Sequence, residues 1–219
     1  MGIRIWSILF QLSAFVALTN AQTNDSTSSI TIGWQVWMAK NMDVDHFANG
    51  DLIPFVRDRL YWKDASDRGI PAWCYYNNDP SNGEKYGKLY NWWAVHDPRG
   101  LAPKGWHIPS DLEWSLITSH LGGEAVAGSA LKSTFGWDNN KEGANGNGTS
   151  SSRGFVGLPG GNRVNNGNFS LIGKVGGWWT TNQAGYAVAW LHFLYNEDDQ
   201  DHKDSNVKGC GFSVRCIED

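Results

Sequence analysis

The sequence predicts an α+β domain built from short antiparallel strands, two or three short helices and long loops. Its composition favours this class, because glycine (26 residues) and tryptophan (13 residues) are abundant while methionine (three residues) is scarce. Turn signals recur roughly every ten residues, and few segments have the apolar spacing of a long helix. Short helices and strands are therefore expected to share one core.

The clearest helix signal begins at Ser110. Ser110 and Glu113 have the S-x-x-E spacing of a capping box, in which two side chains satisfy backbone N–H groups at a helix start. We therefore predict a helix over 111–120, a second over 124–132, and a further helical turn between 86 and 95. The apolar residues with helical spacing around the first helix are Leu112, Leu116, Ile117 and Leu121.

Strand signals are concentrated in the C-terminal half. Residues 186–195 are apolar on both faces of an extended segment, which is typical of a central strand covered on both sides. Residues 154–158 and 177–181 are further strand candidates, and 211–216 is expected to dock into a sheet as the terminal strand. Nearer the N-terminus, Asn49-Gly50 predicts a hairpin turn between two short strands.

The N-terminus has the pattern of a secretory signal peptide. Arg4 precedes an apolar run shorter than the ~20 residues of a membrane-spanning helix, and small residues precede a cleavage point after residue 21. An uncleaved membrane anchor is the alternative. Residues 22–31 are polar and rich in serine and threonine, as in a flexible linker. The predicted organisation is a signal peptide over 1–21, a linker over 22–31 and a single domain over 32–219.

The charge of the chain argues against a nucleic-acid partner. It has 18 basic and 22 acidic residues, a net charge of −4, and loss of Arg4 with the signal peptide makes the chain more acidic. Nucleic-acid binding depends on basic side chains that neutralise phosphates, so no such partner is expected. We also expect no membrane span after signal cleavage, and a location that is secreted or on the cell surface.

Three cysteines allow one disulfide bond. If Cys210 and Cys216 lie in one strand, they are about 20 Å apart. A disulfide needs Cα atoms within about 7 Å. We therefore predict a bond between Cys74 and Cys216, with Cys210 left over. The alternative is three reduced thiols that are buried separately.

Seven segments carry a likeness to a known family. They are QVWMAKNM (35–42), YGKLYNW (86–92), GWHIPSDLEW (105–114), AGSALK (127–132), GFVGLPGGNR (154–163), WWTT (178–181) and GFSVRC (211–216). In this order, over about residues 34–218, the chain resembles the Fibrobacter succinogenes major paralogous domain, a family of secreted bacterial proteins. The resemblance implies a C-type-lectin-like fold, similar to that of the formylglycine-generating enzymes.

The resemblance also bears on catalysis and cofactors. Formylglycine-generating enzymes use a copper-binding cysteine pair upstream of their terminal Gly-Phe-Arg segment, whereas Cys216 lies inside that segment here and Cys210 immediately precedes it. We therefore expect a protein that is not an enzyme and has no catalytic residues. No cofactor is expected, and calcium is the alternative, because C-type lectin folds often hold it through loop oxygens. Its candidate ligands are Asp198, Asp199 and Asp201, although a solvated acidic loop is the alternative.

The paired tryptophans suggest where a ligand could bind. Trp178 and Trp179 are neighbours in a predicted strand, so their side chains point to opposite faces and one is expected to face solvent. An exposed indole gives a flat surface on which a sugar ring can stack, although core packing is the alternative. We therefore expect a secreted or cell-surface binding or adhesion module for a polysaccharide or surface polymer. A structural surface protein that contacts other proteins and a formylglycine-generating-like oxidoreductase are the alternatives.

Overall fold

The computed structural model describes residues 28–138 and 154–219, which form the α+β fold that the sequence predicts. The predicted signal peptide lies outside these residues. The helices are α1 (Arg59–Arg68), α2 (Pro80–Tyr86), α3 (Trp92–Val95), α4 (Asp111–His120) and α5 (Glu124–Leu131). The strands are β1 (Ser29–Ile32), β2 (Gln35–Met38), β3 (Trp73–Cys74), β4 (Leu89–Asn91), β5 (Trp106–His107), β6 (Asn162–Arg163), β7 (Phe169–Ser170), β8 (Val175–Gln183), β9 (Val188–Tyr195), β10 (His202–Val207), β11 (Gly211–Phe212) and β12 (Ile217–Glu218).

The described strands form three small antiparallel sheets. Their orders are β1-β2-β12-β5, β10-β9-β8 and β3-β4-β11-β6-β7. The predicted central strand is β9, which lies between β8 and β10 with both neighbours antiparallel. The C-terminal segment contributes β11 to one sheet and β12 to another, so it docks as expected and links the two sheets.

The predicted capping box is present at the start of α4. The Ser110 hydroxyl accepts a hydrogen bond from the Glu113 N–H at 3.2 Å, and the Glu113 carboxylate accepts one from the Ser110 N–H at 2.7 Å. The helix therefore begins at Asp111, as the sequence indicates. Its buried face differs from the predicted one, because Trp114 and Ile117 pack into the core while Leu112 and Leu116 are exposed.

Several predicted boundaries need correction. β1 begins at Ser29, so the folded domain starts inside the segment predicted as a linker. Residues 154–158 are not a strand and contribute a single bridge from Gly157 to Lys132. The hairpin around Asn49-Gly50 is reduced to one bridge between His46 and Leu52. The sequence analysis also missed α1, whose start is capped by the Asp58 side chain.

The predicted disulfide bond between Cys74 and Cys216 is wrong, because both thiols are free and buried in separate places. Cys74 lies in β3 beside Trp62 and Leu89, whereas the Cys216 sulfur contacts the Met42 sulfur at 3.1 Å. Burial raises the pKa of the Cys74 thiol to about 12 and also raises that of Cys216. Cys210 is likewise free and buried. The two segments meet different parts of the core, so a bond would require displacing both.

Candidate functional site

Trp178 and Trp179 do not form an exposed binding surface. Their side chains do point to opposite faces of β8, as alternation requires, but each is fully buried. Trp178 packs with Trp114 and Phe155 in one cluster, whereas Trp179 packs with Phe212 in another. Both indole N–H groups donate to core acceptors. The prediction that one of them faces solvent is therefore wrong, because core packs on both sides of this strand.

The three aspartates considered as calcium ligands are not brought together. Asp198 accepts hydrogen bonds from the His202 ring and the Gln200 N–H. Asp201 points the other way, into the core. Within residues 28–138 and 154–219, no group of three or more His, Cys, Asp or Glu side chains is placed to hold a metal ion.

Asp201 instead organises a buried polar cluster between α4 and β9. Its carboxylate accepts hydrogen bonds from the Trp114 indole N–H at 3.0 Å, from the Thr118 hydroxyl and from the His192 ring. The other nitrogen of His192 lies 3.5 Å from the carboxylate of Asp111. Because His192 and Asp201 are both almost fully buried, this arrangement joins the helix to the sheet and is closed to a substrate.

His107 has a structural environment as well. Its ring bonds Glu113 at 3.0 Å on one side and Asp219 at 2.9 Å on the other. Burial disfavours the imidazolium, but the two carboxylates outweigh it and raise the pKa of His107. Glu113 is also partly buried, yet its hydrogen bonds with Ser110 and His107 lower its pKa. His107 thus ties the C-terminal segment to the start of α4.

A cavity of about 600 Å³ is the candidate ligand site, and we call it the Trp93 pocket. Its volume lies in the range of small-molecule sites. The walls are formed by the end of α1, by α3, by the β6–β7 turn, by the β8–β9 turn and by the segment between β10 and β11. The lining residues are Ser66, Asp67, Arg68, Gly69, Trp93, Asn165, Gln183, Tyr186, Ala187, Val207, Lys208 and Gly209.

Lys208 is the buried cation of the Trp93 pocket. Its backbone is fixed on both sides, since its N–H donates to the Ala187 carbonyl and its carbonyl accepts from the Trp92 N–H. The ammonium nitrogen lies 4.7 Å from the Trp92 ring centre and 5.2 Å from that of Trp93. It donates to the Gln183 side-chain oxygen at 2.6 Å and to the Tyr186 carbonyl at 2.8 Å. Burial lowers the pKa of Lys208.

Trp93 differs from the buried tryptophans around it. The indole N–H groups of Trp62, Trp92 and Trp179 all donate to backbone carbonyls. The Trp93 indole nitrogen is also buried but has no acceptor in the described residues. Beside it, the Tyr186 side chain is 98% exposed at the β8–β9 turn. The pocket therefore combines an unused donor, a buried cation and an aromatic ring in solvent.

A second cavity, of about 440 Å³, offers less to a ligand. Its lining includes Lys40, Asn41 and Arg215. The guanidinium of Arg215 already donates to the Asn41 side-chain oxygen and to the Phe155 carbonyl, and it stacks on the Phe155 ring. Arg163 is held in a similar way by backbone carbonyls. Buried arginines thus act as structural clamps in this fold.

The sequence does not predict the Trp93 pocket. Its walls come from segments far apart in the chain, and no local motif connects Trp93 with Gln183 or Lys208. A hairpin turn predicted just before residue 186 would have marked Tyr186 as exposed. The buried position of Lys208 has no sequence signal, because lysines are mostly exposed.

The comparisons with known proteins agree with the resemblance. The model of the Fibrobacter succinogenes major domain matches residues 30–218. No curated protein and no solved structure is significantly similar to the chain. In the described ranges, no helix is long and apolar enough to cross a membrane. Because the match covers most of its length, the chain belongs to the Fibrobacter succinogenes major domain family.

Proposed function

We propose that the protein is a non-catalytic module, exported to the cell surface or beyond, that binds carbohydrate in the Trp93 pocket. The observation that carries the proposal is Trp93, which lines the cavity and whose buried indole N–H has no acceptor in the described residues. A buried donor without a partner costs about 1–3 kcal/mol, so a ligand oxygen at this place would be stabilised.

The other lining groups suit a sugar. Hydroxyl groups both donate and accept hydrogen bonds, and Gln183 and Asn165 carry side-chain amides that can do the same. The exposed ring of Tyr186 offers an apolar face with a polar tip. Aromatic rings next to amides thus match the alternating C–H and O–H surfaces of a sugar ring.

A catalytic role receives less support. The three thiols are buried, and burial raises the pKa of Cys210 to about 11 and that of Cys74 to about 12. These raised pKa values disfavour the thiolate that copper or redox chemistry requires.

We also infer a C-type-lectin-like arrangement from the family resemblance. Calcium remains unassigned in this proposal, because the Trp93 pocket offers an ammonium rather than a set of carboxylates.

The proposal is tested by affinity electrophoresis of the full chain in gels that contain soluble polysaccharides. We expect at least one polysaccharide to retard the wild type and to shift its tryptophan fluorescence. Tyr186→Ala and Trp93→Phe should reduce the retardation. Trp34→Ala is the control, because Trp34 is fully exposed but does not line the pocket. The proposal fails if no glycan retards the wild type. It also fails if a glycan retards the wild type and the Tyr186→Ala, Trp93→Phe and Trp34→Ala variants equally.

A second candidate is a structural surface protein that contacts other proteins. It is favoured by three large apolar side chains that are exposed near α4, namely Trp34, Leu112 and Leu116. The turn that carries Trp34 lies against this helix, since Gln35 donates to the Glu113 carbonyl. If Trp34→Ala abolishes binding and Tyr186→Ala does not, this second candidate is favoured.

A further inference from the structure

The Trp93 pocket contains more hydrogen-bond donors than its own residues satisfy. An ammonium group has three N–H donors, and Lys208 has described acceptors for two of them, Gln183 and the Tyr186 carbonyl. The indole N–H of Trp93 has none. The residues that carry these groups, Trp93 and Lys208, line the same cavity. A ligand that fills these places must therefore present acceptor oxygens.

The charge of the pocket also favours a ligand with acceptor oxygens. Within the described residues no carboxylate forms an ion pair with Lys208, although its side chain is almost fully buried. Two further charged side chains line the pocket, and each has its own partner: Arg68 bonds Asp64 at 3.0 Å, and Asp67 pairs with Lys63. In a chain with a net charge of −4, this cavity holds an uncompensated positive charge.

The position of the ammonium is fixed before any ligand arrives. The Lys208 side chain lies over the indoles of Trp92 and Trp93, and two hydrogen bonds hold its end. Little side-chain entropy remains to be lost on binding, which favours affinity. Hydrogen bonds between charged groups are also roughly twice as strong as those between neutral groups.

We propose that the Trp93 pocket selects a sugar acid, with the carboxylate of a uronic-acid unit accepting hydrogen bonds from the Lys208 ammonium and the Trp93 indole N–H. This inference rests on the proposed carbohydrate-binding function and adds the chemical class of the ligand. The carboxylate supplies the counterion that Lys208 lacks, while the hydroxyl groups of the same sugar face Gln183, Asn165 and the ring of Tyr186. A neutral sugar leaves the charge of Lys208 uncompensated.

The test compares one oligosaccharide in two forms, a polyuronate oligomer and the same oligomer after reduction of its carboxyl groups to alcohols. Isothermal titration of the full chain at pH 7 measures both affinities. We expect the acidic form to bind about tenfold more tightly, with the difference shrinking as salt is added. Equal affinities would overturn the selection for acid and leave carbohydrate binding intact. Absence of binding to either form, and to neutral polysaccharides, would overturn both proposals.

Two variants connect the selectivity to its proposed atoms. Lys208→Met keeps an apolar stem over the indoles but removes the charge, so the two oligomers should bind equally. Lys132→Met is the matched control, because Lys132 is also buried and its ammonium lies over an indole, 5.4 Å from the ring centre of Trp137, but outside the pocket. Preference for the acid should persist in that variant. Persistence in Lys208→Met would contradict the inference.

Lys208→Met could unfold the pocket, so Trp93→Phe provides an independent test. It removes the indole N–H while keeping an aromatic ring on Gly69, against which the native indole packs. The acidic oligomer should lose about fivefold to tenfold in affinity, and the reduced oligomer should lose less. An equal loss for both forms would show that the indole does not contact the carboxylate.

Discussion

Replacement of Asp201 by alanine should destabilise the protein more than any other single loss of a carboxylate in the described residues. The Asp201 side chain is 2% exposed and accepts hydrogen bonds from Trp114, Thr118 and His192. These contacts hold α4 against β9. The variant leaves three buried donors without an acceptor and removes the negative charge that faces the imidazole.

The expected loss of unfolding free energy can be estimated from the three lost hydrogen bonds. A buried donor left without its acceptor costs about 1–3 kcal/mol, so three donors set an upper bound near 9 kcal/mol. Relaxation and entry of water recover part of that cost, and large single-site effects are typically about 4–5 kcal/mol. We therefore expect Asp201→Ala to lower the free energy of unfolding by about 4 kcal/mol. Asp201→Asn keeps one acceptor oxygen and should cost about 2 kcal/mol.

Equilibrium unfolding in urea, followed by tryptophan fluorescence, measures these differences. Asp198→Asn is the matched control, because Asp198 lies in the same connection between β9 and β10 but is only partly buried. It should change the free energy of unfolding by less than about 1 kcal/mol. A loss below about 1 kcal/mol for Asp201→Ala would refute the reasoning that this cluster joins the helix to the sheet.

Three further outcomes follow from the structure. The raised pKa of His107 contributes stability that is fully present below its unfolded pKa of about 6.5 and is lost as pH rises through the folded pKa. The difference in free energy of unfolding between wild type and His107→Gln should therefore shrink from pH 6 to pH 9. A difference that does not change with pH would contradict this. The three cysteines should react with a thiol reagent only after unfolding, and a mass loss of about two daltons from a disulfide would disprove the assignment. Gly128→Ala should destabilise by about 1–3 kcal/mol in urea, because the new methyl group would lie 2.2 Å from the Gln200 carbonyl oxygen; wild-type stability would show that α5 can shift freely.

The sequence predicted elements whose signals are local. Ser110 and Glu113 form a capping box within four residues, so the start of α4 could be predicted from side-chain chemistry alone. The two apolar faces of residues 186–195 likewise predicted a central strand, which is β9 (Val188–Tyr195) in the structure, with Tyr186 in the turn before it. In both cases the residues that form the sequence pattern also make the contacts that form the helix start or the buried strand.

Other features depend on contacts that no local pattern contains. The helical spacing in α4 was carried by three leucines and Ile117, of which Ile117 is buried, but the core is built around Trp114, whose indole donates to Asp201 in a distant loop. Alternation placed Trp178 and Trp179 on opposite faces, but it could not tell that both faces are covered. The Trp93 pocket was missed for the same reason, because its walls come from five separate segments that meet only in the folded chain.

Titration of a retained oligosaccharide into wild type and Trp93→Phe shows whether the Trp93 pocket is the ligand site. We expect loss of the indole N–H to weaken binding by about tenfold, equivalent to ~1.4 kcal/mol, and Trp34→Phe to bind like the wild type. Equal affinity of wild type and Trp93→Phe, or a loss confined to Trp34→Phe, would mean that the ligand binds elsewhere.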